Sequence, residues 1–283
     1  MDRNLANEDK LMNFQHYFDS ASQKHPAIQE INEIRRYKYL IFQLTRRDIL
    51  ARYKRSFLGV AWTMLNPLGM MIVMSLIFSN LFKQVGNYPT YVLSGLIAWN
   101  FFSQSTNAAM SGIVWGGNLI QRIYVPRTSF AISAILTALV NLFLSIVPLI
   151  IVMLFGRAPI SLAMAFLPVP MLILATFALG VGLILSTIAV YFPDVEEMYA
   201  IILIAWMYLT PVIYPESIIP AQFTTLYHLN PMYHLVKLFR MPIYDGRIPT
   251  LEEILPAAIM SVVVLVIGWL FFTSKSDEFA YRI

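Results

Sequence analysis

Six long segments without a charged side chain restrict the fold of this chain more than any other feature. They are residues 56–82, 90–112, 128–156, 158–193, 198–215 and 254–274. About 20 mostly apolar residues in a helix cross the hydrocarbon of a bilayer. Only 13% of the chain is charged, against about 25% in soluble domains. The sequence therefore predicts an all-α integral membrane protein with about six transmembrane helices.

The distribution of basic residues predicts the orientation in the membrane. Eleven of the 20 Lys and Arg residues precede residue 56. Because basic residues accumulate on the cytoplasmic side, the N-terminus is expected inside, and six spans return the C-terminus to the same side. This uneven pattern indicates membrane orientation, and no nucleic-acid partner is expected.

Three regions follow from this pattern. Residues 1–35 form a polar cytoplasmic tail without a short apolar signal segment, so no cleavable signal peptide is expected. Residues 36–55 mix apolar and basic side chains and predict an amphipathic interfacial helix, with a plain positively charged anchor as the alternative. Residues 56–283 form the six-span domain. Within it, residues 216–245 combine prolines with polar groups, which predicts short outer re-entrant helices between spans five and six.

Several kinds of functional group are missing from the chain. The six uncharged segments hold no ionisable side chain, whereas ion-coupled carriers usually need one at membrane depth. No phosphate-binding P-loop and no hydrolase motif occurs, so the chain is not expected to be an enzyme or to drive transport itself. Cysteine is absent and the four histidines form no ligand pattern, so no metal site is expected.

Polar and aromatic side chains share faces of several predicted spans. In span 1, Trp62, Asn66 and Asn80 lie within about 40° of one another on a helical wheel. Span 2 is rich in amides and hydroxyls, and in span 5 Tyr199, Trp206 and Thr210 share a face. Such faces could line a conduit for sugars, because rings stack on sugars and amides bond to hydroxyls. The candidate channel residues are Trp62, Asn66, Asn80, Asn100, Gln104, Tyr199, Trp206 and Thr210. Helix packing is the alternative, favoured for any single residue but not for Trp62 and Trp206.

Two predicted cytoplasmic loops could contact a motor protein. Residues 116–126 predict a short coupling helix capped by Asn118, with an ordinary loop as the alternative. In the second loop, residues 191–197, Asp194 and Glu197 have the spacing of a capping box for span 5. Contact with a partner is the alternative for these two carboxylates.

Short sequence blocks occur in an order that identifies a family. They are RYKRSFLG at 52–59, Trp62, NP at 66–67, LSGL at 93–96, WNFF at 99–102, NLI at 118–120, PR at 126–127, Asp194, TPVIYP at 210–215 and LNP at 229–231. Over about residues 46–245 the chain resembles the permease subunit of type-2 ABC exporters, in the branch that exports O-antigen, capsular polysaccharide or teichoic acid. Pro193 departs from the pattern, because a basic residue is expected before Asp194.

The resemblance implies a homodimer in the bacterial inner membrane, with two separate ATPase subunits that hold ATP and Mg. This chain would hold no cofactor itself. Its contacts with the ATPase would come from residues 36–55, from the loop at 116–126 and from Asp194, and the two permease chains would form a channel for a lipid-linked glycan. The coupling candidates are Arg46, Arg47, Asn118, Leu119, Arg122 and Asp194.

Three functions remain open from the sequence. The first is ATP-driven export of a lipid-linked polysaccharide. The second is a type-2 exporter of a drug, a free lipid or teichoic acid. The third, least favoured, is a membrane-embedded sugar-lipid transferase that would use Asp194, Glu196 and Glu197 as its acid-base groups.

Overall fold

A computed structural model describes residues 26–53, 61–114 and 125–279 of the chain. Ten α-helices follow in chain order: α1 Pro26–Arg36, α2 Lys38–Tyr53, α3 Ala61–Phe78, α4 Tyr88–Val114, α5 Thr128–Phe155, α6 Pro168–Tyr191, α7 Val195–Tyr208, α8 Thr224–Leu229, α9 Pro231–Arg240 and α10 Leu251–Lys275. Short 3-10 turns cover Leu162–Phe166, Glu216–Ile218, Ala221–Phe223 and Ser276–Glu278, and a π-helical turn covers Met241–Asp245. The described part of the chain contains no β-strand, which confirms the all-α prediction.

Among the described residues, three segments are long and apolar enough to cross a membrane by length and composition. They are α5, α10 and the segment Leu162–Tyr191 that includes α6. Helices α3, α4 and α7 overlap the other three uncharged segments, and α7 ends at Tyr208, before the segment 198–215 does. With 14 residues, α7 is about 21 Å long at 1.5 Å per residue, shorter than the hydrocarbon layer. The number of spans therefore stays a prediction.

Close backbone contact between glycines organises the centre of the bundle. Helices α6 and α10 cross at Gly180 and Gly268, where the backbone of each helix fills the space that a side chain of the other would need. Two residues further along α6, a Cβ on Gly182 would lie 2.8 Å from the Cβ of Ala109 in α4. The Ser186 hydroxyl donates a 2.8 Å hydrogen bond to the Ala109 carbonyl oxygen. Small residues thus bring α4, α6 and α10 together, as is common where membrane helices pack closely.

Helices α3 and α7 lie at the side of this bundle and expose apolar faces. Leu76 of α3 is 77% exposed and Ile201 of α7 is 70% exposed. In water such faces would favour association or aggregation. In a bilayer they are matched by lipid or by another membrane-embedded chain.

The N-terminal region contains two helices where one was expected. Residues 26–35, predicted as part of the polar tail, belong to α1, and the second helix begins at Lys38. Ile41 and Leu44 of α2 are buried against the bundle, whereas Tyr39 and Phe42 are exposed. Apolar residues thus lie on both sides of α2, and the helix has no clearly separated apolar and polar faces.

Candidate conduit wall and coupling sites

Asn230 joins the end of α7 to the beginning of α9. Its Oδ1 accepts a 2.8 Å hydrogen bond from the Trp206 indole N–H and a 3.0 Å bond from the Met232 backbone N–H. Its Nδ2 donates to the Thr210 hydroxyl at 3.0 Å and to the Leu209 carbonyl at 3.2 Å. Asparagine is a preferred N-cap residue, and Pro231 follows it at the first helical position. One amide side chain therefore caps α9 and fixes α7 to it.

The ring of Trp206 packs among aromatic rings of its own chain. It meets the edges or faces of Trp99, Phe102 and Phe177, with ring centroids 6.4, 5.2 and 6.3 Å away. These rings come from α4 and α6, so the cluster is an intramolecular contact. The structure thus gives Trp206 a packing role, although stacking on a sugar was the favoured prediction.

Tyr199 and Thr210 also lie inside the single subunit. The Tyr199 hydroxyl is 2.8 Å from that of Thr106 in α4, and the Thr210 side chain is fully buried. Thr210 donates its hydroxyl proton to the Trp206 carbonyl. Both hydroxyls are engaged within one chain, which agrees with the helix-packing alternative.

Asn100 and Gln104 lie on a different face of α4, next to α5. They border a small cavity of about 30 Å³ together with Asn141 and Ser145 of α5 and Pro67 of α3. One water molecule needs roughly 10–15 Å³ of such volume and two to four polar partners. The cavity can therefore hold water between three helices, and among the candidates these two amides are the pair that the structure brings together in a polar environment.

The three candidates from span 1 do not lie on one continuous helix. Asn66 and Asn80 are both exposed, but α3 ends at Phe78, so Asn80 belongs to the following turns. The assumption of an unbroken helix over residues 56–82 is therefore wrong at its C-terminal end. Trp62 lies in the first turn of α3, and its side chain is outside the described structure.

The candidate coupling residues are placed only in part. Asn118, Leu119 and Arg122 lie in residues 115–124, outside the described residues. Arg46 and Arg47 are exposed on α2, where Arg47 pairs with Asp48 at 2.8 Å. These two guanidinium groups are accessible to a partner in the isolated subunit.

Asp194 precedes α7 but does not cap it. Its backbone is already helical, with φ −65° and ψ −10°, and its side chain accepts no capping hydrogen bond. N-cap residues normally have extended backbone, so the capping-box prediction for Asp194 and Glu197 is wrong. Together with Glu196, both carboxylates are exposed, and contact with a partner is the alternative that remains.

A contact that the sequence analysis missed anchors α1 to the start of α5. The Glu30 carboxylate accepts hydrogen bonds from the Thr128 hydroxyl at 2.7 Å and from the Thr128 backbone N–H at 3.3 Å. Burial raises the pKa of the Glu30 carboxyl, although the Thr128 hydrogen bonds act in the opposite direction. The indole N–H of Trp269 in α10 also donates to the Ala27 carbonyl at 3.2 Å. Helix α1 thus connects α10 to the residue where α5 begins, just after the predicted coupling loop.

Arg240 is a second residue whose role the sequence analysis missed. Its side chain is buried, and its guanidinium donates to the Pro211 carbonyl at 3.1 Å and to the Val212 carbonyl at 3.0 Å. The guanidinium also lies 3.7 Å from the ring centroid of Tyr91 in α4. A Cβ on Gly95 would lie 2.5 Å from its Nη2. Arg240 therefore fixes α9 to both α4 and the loop after α7, and no sequence signal pairs residues so far apart.

The residues that the structure describes contain no group of three or more potential metal ligands from His, Asp and Glu side chains. His228 and His234 are neighbours, with ring centroids 5.8 Å apart, but one ring nitrogen of His234 already bonds to the His228 carbonyl oxygen.

Long apolar helices packed through small residues define a helical integral membrane protein. Residues 39–244 match the family described as ABC-2 type transporter, and the chain belongs to this family. It is 34% identical to the O-antigen export system permease protein RfbA of Myxococcus xanthus, over 90% of this chain and 100% of that protein. It is 26% identical to the protein of the same name from Klebsiella pneumoniae, over 85% of this chain and 93% of that one. The polysialic acid transport protein KpsM of Escherichia coli is 24% identical, over 85% of this chain and 95% of KpsM.

Replacing Asn230 with leucine is expected to destabilise the subunit. The change removes the N-cap of α9 and also the acceptor of the partly buried Trp206 indole N–H. The two losses together are expected to cost about 2 kcal/mol. Thermal unfolding of the purified protein in detergent measures the loss. Asn80→Leu is the matched control, because Asn80 is exposed and lies in a turn after α3. Equal unfolding midpoints for both variants would contradict the proposed role of Asn230 in joining α7 to α9.

Proposed function

We propose that this chain is the transmembrane permease subunit of an ATP-driven exporter that moves a lipid-linked polysaccharide across the bacterial inner membrane. The supporting observation is the end-to-end similarity to a permease that is named for O-antigen export. The relative named for polysialic acid transport also concerns an extended glycan. The alternative, a type-2 exporter of a drug, a free lipid or teichoic acid, has no such support.

The proposed assembly contains two copies of this chain and two separate ATPase subunits. The exposed apolar faces of α3 and α7 support it, since a second copy can cover them. Asn66, on the exposed side of α3, would then face the second copy or the channel. Asn100 and Gln104 would contribute the polar wall beside α3. Trp62 and Asn80 remain candidates for the same channel.

The proposed motor contacts lie on one side of the membrane, with both termini in the cytoplasm. Arg46 and Arg47 are exposed on α2, and the exposed carboxylate Asp194 precedes α7. The loop with Asn118, Leu119 and Arg122 would complete this surface. Movement of that loop would act directly on the start of α5, which Glu30 binds. ATP and Mg would be held by the ATPase subunits, and this chain would perform no chemistry on the glycan.

Deleting the gene for this chain, or for the ATPase that co-purifies with it, is expected to stop the glycan from reaching the cell surface. Synthesis continues, so lipid-linked glycan accumulates in the cytoplasm. Surface labelling and extraction of the lipid-linked pool measure both effects. The control restores each gene separately in the double deletion, and only the pair should restore export. Export by this chain without any ATPase, or nucleotide binding by the purified chain, would overturn the proposal.

A further inference from the structure

A polar pocket lies at the end of the bundle where α4 begins. Its volume is about 520 Å³, and it is bordered by the start of α4, the loop after α7, α9 and the π-helical turn. Its polar and aromatic lining includes Tyr91, Glu216, Lys237, Arg240, Tyr244 and Asp245. Small-molecule sites in proteins range from about 300 to 1,000 Å³ and use a few converging polar groups. The pocket therefore has the size and lining of a ligand site.

The buried guanidinium of Arg240 borders this pocket, and one of its N–H donors has no acceptor among the described residues. The guanidinium of Arg240 forms no ion pair within the described part of the chain. Its two terminal nitrogens donate to carbonyl oxygens, but its Nε–H is buried and has no acceptor among the described residues. A buried donor without a partner is costly, so an oxygen acceptor beside it would be stabilising.

Charges of both signs line the same space. Lys237 donates to Glu216 at 2.8 Å, and this partner raises the pKa of the Lys237 ammonium although burial alone would lower it. Asp245 Oδ2 lies 4.0 Å from Arg247 Nε, and both of these side chains are partly exposed. Glu216 is paired with Lys237 and Asp245 lies beside Arg247, so these carboxylates and basic groups largely offset one another. A neutral ligand rich in hydroxyls suits the mixture, because each hydroxyl both donates and accepts.

The pocket also contains aromatic surface. Tyr91 and Tyr244 meet edge to face with ring centroids 5.2 Å apart, and Tyr244 is only partly buried. A partly exposed ring beside carboxylates and ammonium groups can cover the apolar face of a sugar while the charged groups bond to its hydroxyls.

We infer that this pocket binds a sugar unit of the exported glycan on the outer side of the membrane. The inference rests on the proposed function and deepens it, because it assigns a glycan contact outside the channel. Tyr244, Asp245 and the Lys237–Glu216 pair form the binding surface, and Arg240 supplies the buried donor. The pocket would hold each passing unit only weakly, so that the glycan can move on.

Cysteine accessibility in living cells tests this inference, since the natural chain contains no cysteine. Ser217→Cys places a thiol at the pocket, and Gln222→Cys places one on an exposed neighbouring turn that does not line it. A membrane-impermeant maleimide is added to cells with the complete transporter. Glycan synthesis is on in one culture and off in the other. We expect labelling of Ser217→Cys to be several-fold slower when glycan is made, and labelling of Gln222→Cys to be unchanged.

Adding Asp245→Ala to Ser217→Cys is expected to remove much of this protection, because a side chain that accepts hydrogen bonds from sugar hydroxyls is lost from an exposed position. Surface glycan is measured in the same cells. Normal export with equal labelling of Ser217→Cys in both cultures would overturn the pocket and leave the proposed function intact. No labelling of Ser217→Cys in cells without glycan would also overturn it, because the pocket would not open outward. Failure of the unaltered transporter to bring glycan to the surface would instead overturn the proposed function.

Discussion

Replacing Gly268 with alanine is expected to separate α6 from α10 and to abolish accumulation of the folded subunit. A Cβ at Gly268 would overlap the carbonyl oxygen of Gly180, and a Cβ at Gly180 would lie 2.6 Å from the backbone nitrogen of Leu265. The obstructing atoms belong to the backbone, so no side-chain rotation can relieve the overlap. Inserting one carbon into a packed core typically costs 1–3 kcal/mol, and a backbone clash places this change at about 3 kcal/mol or more.

Fluorescence-detected size-exclusion chromatography of a tagged chain measures the amount of folded protein. Gly112→Ala is the matched control, because the nearest atom to its Cβ is 4.0 Å away, an ordinary contact. In a helix interior, alanine is favoured over glycine by about 1 kcal/mol, so the control should be neutral or stabilising. A folded Gly268→Ala variant with an unchanged elution profile would contradict the glycine crossing.

The uncharged segments predicted the long helices well. The third segment, residues 128–156, corresponds to α5, which covers Thr128–Phe155. The sixth, residues 254–274, corresponds to α10 at Leu251–Lys275. Prediction succeeds here because a long apolar segment has few alternatives to a helix, and a charge or glycine marks its end. The residues that join these helices were harder to predict.

Tertiary contacts were the part that local patterns could not provide. A helical wheel places Trp206 and Thr210 on one face, but it does not say whether that face meets a channel, another helix or an amide such as Asn230. Glu30 bonds to Thr128, which lies 98 residues further along the chain. Such pairs depend on how helices are arranged, so a single sequence does not reveal them.

Capping motifs show the same limit at close range. Asp194 and Glu197 have the correct spacing, yet the backbone at Asp194 is helical and the motif does not form. At the start of α10 the same spacing does form a capping box, because the Glu253 carboxylate accepts a 2.9 Å hydrogen bond from the Thr250 backbone N–H. Backbone conformation at the first residue decides between the two outcomes.

Replacing Arg240 with methionine is expected to release α9 from α4 and from the loop after α7. Methionine replaces the unbranched part of the arginine side chain but is shorter and has no donor, so the Pro211 and Val212 carbonyls lose the hydrogen bonds that now satisfy them. The contact with the Tyr91 ring is lost as well. Hydrogen bonds from charged donors contribute about 1.5–3 kcal/mol each, so the combined cost is about 3 kcal/mol or more. Thermal unfolding in detergent measures it, and Arg247→Met should cost under about 1 kcal/mol because its ion pair is exposed.

Gly95→Ala provides a second measurement of the same contact. The added Cβ would lie 2.5 Å from Arg240 Nη2 and 2.8 Å from the Val212 carbonyl oxygen, so alone it should destabilise the protein. In the Arg240→Met background one of these two obstacles is absent, and methionine can shift. The double variant should therefore be more stable than the sum of the two single losses predicts. Strict additivity would mean that Gly95 and Arg240 do not interact, and that the guanidinium is not what holds α9 against α4.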